Sequence, residues 1–560
     1  MYFILEHFLF FFQITLICLS LIISGYLLNI FLFGIKNKIS IEEKGLFGFI
    51  VVGFVALIVN FFLPLNLIIN NILFFLIIIL GIFYKFFELN KIRLIKSIIL
   101  ISLLAYIFTI YSTVNRPDAF LYHLPYSNIL NEHKIILGLS NLHHRFAHIS
   151  IFQYISSFYV NNIFSTNGLL IPSSLLTSLF LIFTFKKFKF DFENKLTRKN
   201  SIFIFLILAI SFYSFNRYSG WGNDAQVHIF YFLLSIYLLD YLKDKNSIEN
   251  FKKVILISSF IFLLKTFYII TIIIPIFIFL ILKKKNIILK SKTFFFASSL
   301  ITLWLIKNLL ISGCLIYPLN ASCIKSLSWF NPATTDKAIE GEIWAKDWPN
   351  RLDKNIEAKD YLKDFNWLKS WLNNHFDVVI EKILPVILFI IIIFIFFYFT
   401  KCLKKNNYPN DKNFLFFFII FNLFGSIIWF LKFPIYRYGY SYIYMFLLFL
   451  SYYLFIKNID IIKVFRFKKY LYSIILIFFS IVLVKNINRI VINNDYSIVP
   501  LISNAGVSGT IIKNYDLNNN FTHFSTKKNY CGYFLSPCSN NSYRVFVDNK
   551  LNYKIIKLND

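Results

Sequence analysis

The chain alternates long apolar runs with short polar breaks, and this pattern lays out most of the expected architecture. Runs near Phe8–Phe33, Gly45–Leu63, Leu67–Phe87 and Ser97–Val114 come first. Others follow near Gly168–Phe185, Ser201–Phe215, Val227–Leu242, Val254–Leu282, Phe294–Leu310, Val378–Phe399, Phe414–Leu431, Tyr442–Phe455 and Tyr472–Val484. Many reach or approach the ~20 residues that carry a helix across ~30 Å of hydrocarbon. Helices also satisfy their own backbone groups where no water reaches. The predicted class is an all-α polytopic membrane protein with about 12–14 transmembrane helices.

Charge orients that bundle. Across 560 residues the net charge is +29, which in a soluble protein would point to nucleic acid. Here the lysines fall in alternate short loops, 36–44, 186–199, 283–292 and 401–412, the positive-inside signature of membrane topology. Nucleic acid is therefore not an expected partner. Segments 115–150, 312–377 and 486–560 are then expected outside, with both termini on that side. The chain divides into a transmembrane domain, 1–485, and a small outer tail, 486–560. The N-terminus lacks a basic start and a small-residue cleavage site, so the first run is expected to remain as a span. The run 254–282 has basic loops at both ends, so one crossing would leave one of them outside. Two short spans turning near Lys265 and Thr266 keep both inside. Residues 149–164 mix Ser, Gln and Asn with aromatics and read as an interfacial helix.

The chemistry gathers in the outer segment 115–150. It holds Asp118, Tyr122, His123, His133, His143, His144, Arg145 and His148, including five of the nine histidines. Crowding acid, imidazole and guanidinium at one helix mouth points to handling of something polar. Asp118 either caps the next helix or acts as a general base on a hydroxyl. His144 and His148 have the i, i+4 spacing of metal ligands if helical, while His143 and Arg145 suit phosphate.

Elsewhere, Lys265 interrupts an apolar run, either snorkelling to the interface or serving the site. Arg437, between Tyr436 and Tyr438, is a headgroup anchor or a phosphate clamp. Asp224, with Arg217 and Trp221, marks a short outer turn. The 312–377 loop carries Trp329, Trp344, Trp348, Trp367 and Trp371, expected to cover the site or to anchor at the interface. Cys531 and Cys538 in the tail are expected to form a disulfide in an oxidising compartment, and Cys314 with Cys323 is a second possible pair. Cys18 lies inside a span as packing. Sequons occur at Asn320, Asn520 and Asn540.

Several of these pieces resemble multispanning glycosyltransferases of the GT-C class. They are D-A-F-L-Y-H-L-P, then G-L-S-N-L-H-H-R-F, L-L-K-T-F-Y-I-I, W-L-I-K-N-L-L-I-S-G-C-L-I-Y-P and F-P-I-Y-R-Y, in that order across about residues 97–445. The pattern looks most like a bacterial subfamily of GT-C-like membrane proteins. The resemblance implies transfer of a sugar from a polyprenyl-phosphate donor to a cell-envelope glycan or lipid, on the outer face of a bacterial inner membrane. It maps a catalytic base onto Asp118, with His123 beside it, and lipid-phosphate contacts onto Lys265 and Arg437. Tyr122, Asn141, His143, Arg145 and Asp224 complete the implied substrate-binding set. The class often has a second acid near the first loop, whereas Asp118 stands alone there, so a divalent metal stays an open question. An outer-face polysaccharide polymerase or ligase is an alternative, as is a transporter of envelope precursors. A transporter would usually place charge at the bilayer midplane, with repeat symmetry, and no such repeat is visible in the sequence.

Overall fold

The apolar runs fold as helices in the computed structural model. It describes residues 2–558 apart from 35–38, 87–90, 113–117, 195–196, 215–221, 223, 245–246, 283–284, 402–411, 457–458, 460–467, 494–510, 517–520, 527–530, 534–535, 540–544 and 551. Arg217, Trp221, Asn520 and Asn540 therefore lie outside the described residues.

Four helices come first: α1 (Tyr2–Phe33), α2 (Ile41–Phe62), α3 (Leu67–Phe83) and α4 (Lys91–Ser112). The His-rich segment contributes α5 (Leu124–Glu132), and α6 (Ile151–Phe158) follows it. Then come α7 (Ile171–Glu193), α8 (Arg198–Ser214), α9 (Asp224–Lys243), α10 (Ile248–Leu264), α11 (Ile273–Ile281), α12 (Lys285–Leu289) and α13 (Lys292–Ser312). The loop after α13 holds α14 (Pro332–Ala345) and α15 (Ala358–Leu362). The last helices are α16 (Leu368–Phe399), α17 (Lys412–Lys432), α18 (Tyr436–Leu454) and α19 (Lys468–Asn493).

Among the described residues, eight helices are long and apolar enough to cross a membrane, and shorter apolar helices accompany them. On α3, Ile68, Ile72, Phe75, Ile79 and Phe83 are all exposed. Their three- and four-residue spacing makes one continuous apolar stripe. An exposed stripe of that kind is unfavourable in water and natural against lipid. The chain is a multi-pass membrane protein.

The run 254–282 turns back on itself, as its charges required. Helix α10 ends where Lys265 adopts an extended conformation (φ −156°). A 3-10 turn follows, Thr266–Ile272. The Thr271 hydroxyl lies 3.4 Å from the Ser258 carbonyl, thirteen residues earlier. A helix continuing straight on would hold them about 20 Å apart. Lys265 sits at the apex.

The bundle has two chemically distinct ends. At one, buried Glu42 pairs with Lys186 (2.5 Å) and Glu43 with Lys253 (2.9 Å). There too, Lys187 and Lys243 each approach Asp240 at 2.9 Å, and Lys243 reaches buried Asp191 at 3.3 Å. All of these belong to the basic loops or the helix ends beside them. At the other end the three segments expected to share one face do meet. Gly138 N–H donates to the Leu310 carbonyl and the Asn141 amide to the Trp329 carbonyl. Leu137 pairs with the tail through Lys554 and Ile556.

Three expectations change. Residues 151–158 form a helix whose every residue is buried, not an interfacial helix; protein packs on all its sides. In the Trp-rich loop, Trp367 and Trp371 are taken up by a separate small core with Ile343 and Tyr361, while Trp344 stays exposed. The tail is not helical. It contains β1 (Ile511–Asp516) and β2 (Phe521–Thr526), antiparallel, with β3 (Cys538–Ser539) parallel to β2. A hairpin follows, β4 (Val545–Lys550) with β5 (Tyr553–Leu558). The helix that precedes the tail, α19, runs to Asn493, a little past the expected boundary.

Cys531 is bonded to Cys538, and Cys314 to Cys323. Peptide mapping of unreduced membranes is expected to recover both linked peptides. Closing loops this short restricts the unfolded chain by about 2–3 kcal/mol each, so reduction should loosen the tail first. Free thiols at Cys531 and Cys538 in freshly isolated, unreduced protein would contradict the tail's structure.

Candidate functional site

The site is assembled by four separate stretches of chain. Asp118 stands at the start of a π-helical turn, Ala119–His123, that leads into α5. Its carboxylate makes no cap bond, which removes the capping role. Such π turns recur at functional sites because they re-aim side chains within a helix. Arg145 comes from a 3-10 turn, His144–His148. Asp224 opens α9, Lys265 is the hairpin apex, and Arg437 lies in the first turn of α18.

These five residues form one alternating chain of charge. Arg145 Nη1 is 3.4 Å from Asp118 Oδ1, and Arg437 Nη2 is 3.2 Å from Asp118 Oδ2. The same guanidinium reaches Asp224 Oδ2 through Nε at 3.6 Å, and Lys265 Nζ is 2.6 Å from Asp224 Oδ1. The Asp118 and Asp224 side chains are 29% and 28% exposed, and Arg437 32%. They face accessible space while the helices behind them are buried. Three cations stand against two carboxylates, leaving one positive charge in excess among these groups. Asp118 does not stand alone: its paired acid is Asp224, brought in from another helix.

Aromatic rings floor the array. Lys265 Nζ lies 3.9 Å from the Tyr438 ring centre, and the Arg145 guanidinium 4.9 Å from that of Tyr122. Such contacts favour a cation without neutralising it. Two indoles fix the approach to α18, with Trp371 Nε1 donating to the Pro434 carbonyl (2.7 Å) and Trp429 Nε1 to that of Ile435 (2.8 Å). His123 is buried beside Asp118, its Nδ1 2.8 Å from Gln153 Nε2. Burial pulls its imidazole down to about 4, against the opposing pull of Asp118. It is neutral at physiological pH, able to orient or relay a proton.

Other predicted residues have different roles. Asn141 is buried and donates to the carbonyls of Trp329 (3.0 Å) and Ile556 (2.8 Å), so it is a structural tie and not a substrate contact. His143 is buried and accepts from the Arg145 N–H through Nδ1 (3.1 Å), setting the turn that presents Arg145. His144 and His148 belong to a 3-10 turn. With three residues per turn their side chains point about 120° apart, not along one face. The i, i+4 argument for a metal pair therefore fails.

Three contributors escaped the sequence reading: Tyr438 as a cation platform, Gln153 behind His123, and His228. His228 Nε2 is 2.9 Å from the Arg437 carbonyl, and its ring lies 3.6 Å from that of Tyr440. Its position four residues after Asp224 on α9 was the available signal.

Neutral His123 carries a pH consequence. Burial holds it near 4 in the folded protein, below the ordinary 6.5 of a histidine side chain. The unfolded state binds the extra proton, so the contribution is complete above about 6.5 and is lost as pH falls from there towards 4. Hydrogen exchange in 119–132 should accelerate between pH 6.5 and 4.5 after correction for intrinsic rates. His123→Asn, which cannot protonate, should flatten that dependence.

A family described as a domain of unknown function (DUF8201) matches residues 8–444, a stretch that includes all five charged residues of the array. No curated protein and no solved structure matches. With more than half its length matched, and the array inside the match, the chain belongs to the DUF8201 family.

Proposed function

We propose that this protein is a GT-C-type glycosyltransferase, with a bundle of about 12–14 spans. It transfers a sugar from a polyprenyl-phosphate donor to a cell-envelope glycan or lipid on the outer face of a bacterial inner membrane. The observation that carries the reading is the array Arg145–Asp118–Arg437–Asp224–Lys265, with its single excess positive charge. A polyprenyl-phosphate sugar is a phosphodiester with one negative charge. Guanidinium and ammonium groups at a membrane-bundle end suit that headgroup, and apolar helix faces suit its chain.

The array is latched, because Arg145 and Arg437 each hold one oxygen of Asp118. A donor phosphate competes for those guanidiniums and releases one carboxylate oxygen. Asp118 then takes the proton of the acceptor hydroxyl while the hydroxyl oxygen bonds to the anomeric carbon. The bond from that carbon to the phosphate oxygen breaks, with inversion, and the lipid phosphate leaves with the electron pair. Arg437 and Lys265 stabilise its developing charge. His123 and Tyr122 line the acceptor side, and no step requires a metal. A second reading, transport of an anionic lipid-linked precursor, draws on the ion cluster at the opposite end of α9 and α10.

Asp118→Asn keeps the size of the side chain but not its basicity, and should lower sugar transfer by about 10²–10⁴-fold in folded, monodisperse protein. Transfer at the parental rate would remove Asp118 from the chemistry. Lys265→Ala and Arg437→Ala should weaken retention of the lipid-linked sugar more than that of the acceptor, measured as separate apparent affinities.

The outward orientation has its own check. A cysteine introduced at Lys285 should resist an impermeant thiol reagent in intact cells, while one at Lys325 should react. Labelling at Lys285 from outside would reverse the topology.

A further inference from the structure

The segment that carries Asp118 and Arg145 is held from outside the helical bundle. The disulfide loop 531–538 touches it twice. Gly532 N–H donates to the Phe120 carbonyl (3.2 Å), two residues after Asp118, and the Tyr533 hydroxyl to Asn131 Oδ1 (3.1 Å). The terminal hairpin holds it further along. Leu137 N–H donates to the Lys554 carbonyl (2.9 Å), Ile556 N–H to the Leu137 carbonyl (2.8 Å), and the Asn141 amide to the Ile556 carbonyl (2.8 Å). Lys134 lies over the Tyr553 ring (4.1 Å), whose hydroxyl donates to the Phe61 carbonyl at the end of α2 (2.9 Å).

The backbone at Gly138 is shaped for this contact. Its φ is +67°, and a Cβ there would come 2.3 Å from the Ile556 carbonyl oxygen and 2.7 Å from Trp329 Cβ. Only glycine satisfies both the conformation and the space. The bundle's own helices bring Asp224, Lys265 and Arg437 together, whereas Asp118 and Arg145 sit on one irregular segment, 118–148.

We infer that the C-terminal tail is a positioning strap. Its disulfide loop and β5 register the 119–145 segment, so that Asp118 and Arg145 meet the charged groups on the helix ends. The strap lies beyond the region matched by the family, 8–444. Cys531–Cys538 sits on the arm that touches Phe120, so reduction of that bond slackens the strap beside Asp118. The inference rests on the proposed function only for the ligand that the positioned site binds.

The decisive variant is Ile556→Pro in the full-length protein. Ile556 spends its N–H on Leu137, and proline removes that donor. Hydrogen exchange in 119–145 should rise on the order of tenfold, the worth of one lost buried bond. Exchange in α9 and α10 should not change. Binding of farnesyl phosphate, a short polyprenyl-phosphate probe, should weaken in step. Ile556→Val keeps the backbone bond and should restore both readouts, which a side-chain packing role would not do. If Ile556→Pro does not yield folded protein, the double variant Cys531→Ser, Cys538→Ser, which spares Cys314–Cys323, is put through the same measurement. Parental exchange in 119–145 while β5 itself is released would overturn the strap. Failure of the parental protein to bind farnesyl phosphate would count against the donor reading, and the exchange result would then decide the strap alone.

Discussion

The site depends on one guanidinium placed between two carboxylates. Arg437 reaches Asp118 through Nη2 and Asp224 through Nε, joining residues from two distant parts of the chain. Two acids brought this close would repel each other at a membrane surface, and each would be costly to bury. A planar fork with several donors in fixed directions can serve both, which lysine's single ammonium cannot do in the same way. The geometry around it follows from that need. Trp371 and Trp429 hold the backbone just before Arg437, and His228 holds its carbonyl, so the fork arrives already aimed.

Much of this was legible in the sequence, for physical reasons that can be named. The hairpin at Lys265 was the expectation from charge, because a turn there keeps two basic loops on one side where a single crossing would separate them. Asp118, Lys265 and Arg437 stood out since a charge at a helix mouth in an apolar chain needs a cause. Their mutual pairing did not stand out. Asp118 and Arg437 are 319 residues apart, and no local spacing records such a contact. Asn141 was misread for a related reason. Dense polar company marks a structurally demanding segment as readily as a catalytic one, and its amide is used on backbone carbonyls. The helix at 151–158 looked interfacial because its polar residues were assigned to water; protein surrounds them instead. The tail's strands were missed because the reading stopped at its polarity, although Val545, Val547, Tyr553 and Ile555 carry the period-two alternation of paired strands.

The fold supplies rigid parts and one irregular part. Helices α9 and α18 bring in Asp224 and Arg437, and the hairpin at the end of α10 brings in Lys265, while Asp118 and Arg145 ride on π and 3-10 turns with fewer constraints of their own. A latched array of this kind sits between two demands. It must be firm enough to hold like-charged groups in place and, under the proposed function, loose enough to give up an arginine to a donor phosphate. Partial exposure of the charges serves the second demand, because water lowers the cost of separating them.

Helix α9 carries Asp224 at its first residue and Asp240 near its last turn, and both acids are bonded to lysines from other helices. Its twenty residues make a stiff rod about 30 Å long, nearly the thickness of the hydrocarbon. Sliding or tilting such a rod strains the ion pairs at both ends in the same instant. A displacement that parts Asp224 from Lys265 would therefore also load the pair of Asp240 with Lys187, through one element and without a chain of intermediaries.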